Sequence, residues 1–141
     1  MGASSPFLTL PESAWVASNE LAFAILDRFP VSPGHTLIVT RRLVETWFNA
    51  TPEEQSAVWA LVNEVKRRLD EEFHPDGYNI GLNLGAAAGA GVPGHLHWHI
   101  VPRWHGDTNF MPILADTKVI VQSLDALYDL LRERLSGPVG S

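Results

Sequence analysis

The order of elements along this chain predicts an α+β domain, an antiparallel sheet of about five strands with two main helices. Three observations carry that reading. Short apolar runs recur in pairs, residues 20–27 with 35–40 and residues 78–84 with 95–101. A segment of helical periodicity follows each pair. The links are short, whereas parallel neighbours need a crossover of about a dozen residues or more, so the strands pair antiparallel.

The elements justify themselves in turn. "ELAFAILD" (20–27) is an apolar run stopped by "RFPVSPG", a strand and then a turn, and "HTLIVT" (35–40) is the returning strand. Thr51 can cap a helix, Pro52 suits its first position, and Glu54 completes a capping box. Val58, Leu61, Val62, Val65 and Leu69 then form one apolar stripe, and "HPDG" (74–77) ends the helix. "YNIGLNL" (78–84) resumes the two-residue period of a strand, and a Gly/Ala-rich loop runs from Gly85 to Gly94. After the histidine-bearing strand, a second amphipathic helix is expected over about 117–135, with Ile120, Leu124, Leu127 and Leu131 on one face. The chain reads as one domain, 1–141, with its core at about 7–135 and Gly/Ser/Pro-rich, flexible ends at 1–6 and 136–141.

Composition narrows the function. The net charge of −6 argues against nucleic acid or an anionic membrane as a general partner, because those are met with basic surfaces. It does not exclude a small phosphorylated ligand held locally by backbone N–H groups and imidazoles. With no cysteine there are no disulfides or thiolate metal sites. No signal-peptide pattern and no long apolar run is present, so a cytoplasmic setting is the expectation.

Three of the six histidines, His95, His97 and His99, alternate within "GHLHWHIVPRW" (94–104). On a helix, alternate residues lie about 200° apart and share no surface. On a strand the three imidazoles and Val101 point one way, and Leu96, Trp98 and Ile100 point the other, as a core-facing set should. Gly94 and Pro102 then flank the strand, Pro102 where the ladder can end. A lone strand histidine is usually structural, the reading given to His74 and His105, but three in register on one face are not explained by packing. Zinc is one alternative, since histidines two apart on a strand can reach one ion. The segment offers no acidic residue to it, and zinc needs no glycines.

The preceding loop favours another use. "LGAAAGAGVPG" (84–94) carries Gly89 and Gly91 among small residues, which let backbone N–H groups approach an anion. "GAGVPG" also satisfies G-x-G-x-x-G, but that pattern must open a helix in a βαβ unit, and here it precedes a strand. A phosphate cradle beside a neutral imidazole suits nucleotidyl transfer. Histidine with one nitrogen held by a hydrogen bond keeps a nucleophilic lone pair on the other, and flanking histidines can bond the phosphate oxygens. The centre of the row, His97, is the expected nucleophile.

"HLHWHIV" resembles the signature of the histidine-triad (HIT) family, and the similarity runs from about residue 20 to 104. "VPRW" and "GDTNF" (106–110) place the resemblance nearest the fragile-histidine-triad branch and bacterial diadenosine polyphosphate phosphorylases. The resemblance implies a homodimer of HIT-like sheets, a bound nucleoside monophosphate and a nucleotidylated His97. It implies that His99 binds the α-phosphate and His95 supports the network. Asp27 matches the ribose-binding position, His35 a histidine behind the triad, and Asn83 an amide near the phosphate. The implied substrates are dinucleoside polyphosphates such as Ap4A or Ap3A, accompanied by Mg²⁺ but by no tightly bound cofactor, with water or inorganic phosphate as acceptor. A phosphoramidase and a non-catalytic purine-nucleotide binder are the alternatives. One departure stands out: residues 84–94 lack the polar side chain that many relatives place before the triad.

Overall fold

A computed structural model describes residues 5–90, 92, 94–107, 126, 129, 132 and 133. Five antiparallel strands, β1 (Trp15–Ser18), β2 (Ala22–Leu26), β3 (Thr36–Thr40), β4 (Gly77–Leu82) and β5 (His97–Arg103), form one sheet in the order β1-β2-β3-β5-β4. The main helix α1 (Pro52–Phe73) covers one face of it. β2 and β3 are inner strands, and nearly every side chain in them is buried, which is why both read as continuous apolar runs.

Residue parity sorts the two faces. Ala22, Ala24, Ile38 and Ile100 pack against Val58, Leu61, Val62, Val65 and Leu69, the stripe expected of α1. Phe23, Ile25, Leu37 and Val39 turn to the opposite face and meet Phe7 from the N-terminal segment. The capping box of α1 is present: Thr51 Oγ1 accepts from Glu54 N at 3.0 Å, and Glu54 Oε1 accepts from Thr51 N at 2.9 Å. The same carboxylate takes both Arg42 Nη2 (2.7 Å) and Nε (3.1 Å), and the Arg42 bonds hold its pKa below the usual range.

The structure refines these expectations. The fifth strand is β1, a short segment whose residues alternate between half-buried and exposed at the sheet edge, too brief for its period to register in the sequence. β5 begins at His97 instead of His95 and continues through Pro102 to Arg103. Proline is tolerated there because β3 has already ended at the Thr36–Ile100 pair. The Pro102 carbonyl instead accepts from Ser32 Oγ at 2.6 Å, so the missing N–H faces the side that no strand occupies. Ser5, in the N-terminal stretch before the expected core, is buried. The second helix (117–135) and "GDTNF" beyond Asp107 lie outside the described residues, except that Ala126, Asp129, Arg132 and Glu133 are helical.

Candidate active site

A cavity of about 950 Å³ opens on the sheet face opposite α1. That is near the upper end of the roughly 300–1,000 Å³ of small-molecule sites. Phe7 and Leu10 of the N-terminal segment, with Ile25 and Leu37 of β2 and β3, make an apolar wall. β4 and β5 bring polar groups, because register sets Gly81 opposite His99 and Asn79 opposite Val101 on the same face. His97, His99, Asp27, His35, Asn83 and Gly89 all border the cavity. Gly91 lies outside the described residues.

His95 is the exception within the row. It precedes β5, is 0% exposed, and does not border the cavity. Its ring is held at both ends: Nε2 donates to the Thr40 carbonyl at 2.8 Å, and Nδ1 accepts from Ser5 Oγ at 2.7 Å. The expectation that all three imidazoles share one strand face therefore holds for His97 and His99 only.

Hydrogen bonds assign the other tautomers. His97 Nδ1 lies 3.0 Å from the His95 carbonyl, which can only accept, so Nδ1 carries the proton and Nε2 keeps its lone pair. Val31 N–H donates to His35 Nδ1 at 3.2 Å, so His35 Nε2 carries a proton and donates to His99 Nδ1 at 2.9 Å. His99 in turn holds its proton on Nε2, which makes it a donor toward the cavity. Burial lowers the pKa of His35, an effect that Asp27 partly opposes, and burial also lowers that of His95. Burial first, and then the nearby His97 and His35, push His99 down to about 4. His35, His95 and His99 are therefore neutral at pH 7.

The depressed pKa of His99 sets the sign of a pH dependence. Its unfolded value of 6.5 exceeds its folded value, so below pH 6.5 the unfolded chain binds more protons and folding weakens. The melting temperature is expected to fall as pH drops from 6.5 towards about 4, and to be insensitive to this group above 6.5. His99→Gln is expected to flatten that part of the profile in scanning calorimetry. An unchanged slope would contradict the assignment.

Asp27, His35 and His99 place ligand atoms within 4.8 Å of one another, a spacing compatible with a metal ion. The tautomers disfavour that use. His35 Nε2 is protonated while Val31 N–H occupies Nδ1, and His99 Nδ1 accepts the His35 proton. A metal would have to displace that proton and leave the Val31 amide unpaired.

The loop before β5 differs from its expected form. Gly89 adopts φ +91° and lines the cavity, but the N–H groups of Ala88, Gly89 and Ala90 bond Gly85 or Ala86 carbonyls within the loop. The loop is thus a compact wall of small side chains, and those three N–H groups are already used. Gly34 supports the site from behind: at φ +86° it packs so tightly that a Cβ would lie 3.0 Å from Leu69 Cδ2, and it sets His35 at the entry to β3.

Asn79 was missed by the sequence reading. Arg103 Nη1 donates to its Oδ1 at 2.8 Å, so the amide nitrogen is the group left to face the cavity. Arg103 is itself held by Asp107 at 2.6 and 2.9 Å, which gives the "PRWHGD" stretch a structural purpose. Asn79 and Asn83 supply polar side chains that the loop itself lacks. Parity within "YNIGLNL" places them on one face, but only the register shows that the face is that of His99. Trp98 packs edge-on against Trp47 and Trp59 on the α1 face, as a core residue does.

Comparison with known proteins fits this arrangement. The protein named AP-4-A phosphorylase from Mycobacterium tuberculosis is 38% identical over 126 residues, covering 86% of this chain and 65% of its own length. The Schizosaccharomyces pombe protein named bis(5'-nucleosyl)-tetraphosphatase (asymmetrical) is 34% identical over 120 residues, with 84% and 65% covered. This chain therefore spans just under two thirds of both relatives. A HIT family protein from Bacillus anthracis superposes with a TM-score of 0.69 at 27% identity, over 87% of this chain and 83% of that one. The HIT domain profile matches residues 11–106, and the chain belongs to the HIT family.

Proposed function

We propose that this protein cleaves dinucleoside polyphosphates at the α-phosphorus through a nucleotidyl-His97 intermediate. The observation that carries the reading is the His97 tautomer: Nδ1–H is committed to the His95 carbonyl, and the nucleophilic Nε2 belongs to a ring on the cavity wall. The names of the Mycobacterium and Schizosaccharomyces relatives support this substrate class.

In the first step the Nε2 lone pair attacks the α-phosphorus, and the bond to the bridging oxygen breaks. The remaining nucleoside polyphosphate, ATP in the case of diadenosine tetraphosphate, leaves with the bonding electrons, and the modified imidazole gains positive charge, stabilised by the His95 carbonyl. His99 Nε2–H donates to a non-bridging phosphate oxygen, with Asn79 and Asn83 beside it. In the second step water or inorganic phosphate attacks the phosphorus, the P–N bond returns its electrons to His97, and the acceptor's proton is released. Asp27, where β2 ends, receives the ribose hydroxyls, and the apolar wall receives the base. Mg²⁺ enters, if at all, with the polyphosphate and not as a resident ion. Within this proposal the working unit is a homodimer.

Brief mixing with diadenosine tetraphosphate, followed by intact-protein mass spectrometry, is expected to reveal an adduct of one AMP. With phosphate as acceptor the products are ADP and ATP, and with water they are AMP and ATP. Tight AMP binding with no adduct and no released nucleotide would make the protein a nucleotide binder instead. Faster turnover of adenosine phosphoramidate would make it a phosphoramidase.

A further inference from the structure

The mechanism asks one thing of residue 95, that its carbonyl stay within reach of the His97 Nδ1–H. Strand bonding alone does not secure this, because β5 starts at His97 and the His95 N–H makes only a 3.4 Å bond to the Val92 carbonyl. Leu96 N–H anchors the next peptide on the Val44 carbonyl at 2.7 Å. The remaining anchor is the His95 side chain, pinned by Thr40 on one nitrogen and Ser5 on the other.

Ser5 is 90 residues away in sequence and only 2% exposed. Its hydroxyl is used in both directions. The proton goes to His95 Nδ1 at 2.7 Å, and the oxygen accepts from Phe7 N–H at 3.2 Å. The Phe7 ring then lies against both His95 and His97, with centroids 5.7 and 5.1 Å apart. Phe7 also borders the cavity, so a single hydroxyl links the N-terminal segment, the anchoring imidazole and the reactive one.

We propose that Ser5 is a positioning residue for the reaction: by holding His95, it fixes the carbonyl that keeps His97 in its Nδ1–H tautomer. This rests on the reading of His97 as nucleophile. Without the hydroxyl, His95 Nδ1 is a buried acceptor with no donor. If the ring moves its proton to Nδ1, its Nε2 lone pair opposes the Thr40 carbonyl. Either arrangement displaces residue 95, and with it the partner of His97.

The test compares Ser5→Ala, Ser5→Thr and Thr9→Ala in the full-length protein. Thr9 Oγ1 bonds the Pro6 carbonyl at 2.8 Å in an exposed position of the same segment, so Thr9→Ala measures general loosening. Ser5→Ala is expected to lower kcat for diadenosine tetraphosphate about 10- to 100-fold while KM changes by less than about threefold. Ser5→Thr, which keeps a hydroxyl, is expected to restore most of the rate, and Thr9→Ala to leave it unchanged. Should Ser5→Ala fold poorly, Ser5→Cys replaces it, with similar volume, a weaker donor and an intermediate loss. Nitrogen-15 NMR of the histidine rings, without substrate, is expected to find His97 protonated at Nδ1 in the wild type and as a mixture of tautomers in Ser5→Ala. An unchanged tautomer in Ser5→Ala overturns the proposal, as does a rate loss matched by Thr9→Ala or by the unfolded fraction. If the wild type forms no adduct at all, the nucleotidyl-transfer reading fails, while the NMR comparison still decides whether Ser5 controls the His97 tautomer.

Discussion

His97→Ala is expected to reduce turnover of diadenosine tetraphosphate by at least about 10³-fold and to abolish the AMP adduct. In the proposed reaction the loss is this large because Nε2 of His97 supplies the attacking electron pair, and no neighbour can substitute. His95 is sealed between Ser5 and Thr40, and His99 Nδ1 already accepts from His35. AMP affinity is expected to change little, since the apolar wall, Asp27 and the two asparagines remain. Far-ultraviolet circular dichroism should be unaltered, because removing this ring leaves the strand ladder and the α1 face intact. Steady-state rates on two nucleotides and AMP titration calorimetry check the three parts separately. A variant that still turned over at near-normal rate would exclude the covalent route.

The second large effect is on stability. Ile100 is 0% exposed at the centre of β5 and packs in the cluster beneath α1. Ile80, its cross-strand partner on β4, is 40% exposed. Ile100→Ala is expected to cost about 3–4 kcal/mol, from lost transfer energy and the cavity that remains. Ile80→Ala is expected to cost less than about 1 kcal/mol, as exposed positions do. Urea unfolding of both variants makes the comparison. A domain of this size commonly has about 5–15 kcal/mol in total, so the first change alone removes a large share. Because Ile100 sits between His99 and Val101, activity in Ile100→Ala should fall with folded population and leave the kcat of the remaining folded enzyme close to normal. Equal costs at the two positions would show that β4 has a partner covering its outer side.

Much of this was readable from local pattern. The capping box, the apolar stripe of α1 and the alternation of "HLHWHIV" each depend on a period or spacing within a few residues, and each has one structural solution. β1 escaped because four residues at a sheet edge carry too little periodicity. Asn79 escaped because its importance comes from pairing with β5, and pairing is not local. The loop around Gly89 was read as an open anion cradle on composition, whereas its N–H groups close on its own carbonyls.

By itself the sequence determined that imidazoles would stand on an extended segment beside small residues, since strand period and residue size act between chain neighbours. Tertiary structure decided which of the three imidazoles border the cavity and which nitrogen of each ring carries the proton. A tautomer depends on whichever donor or acceptor meets each ring nitrogen, and here those partners include Ser5, His35 and Thr40, brought from 55 to 90 residues away by tertiary packing, and Val31, brought by a turn. Proton placement in a buried ring is therefore a property of the folded chain.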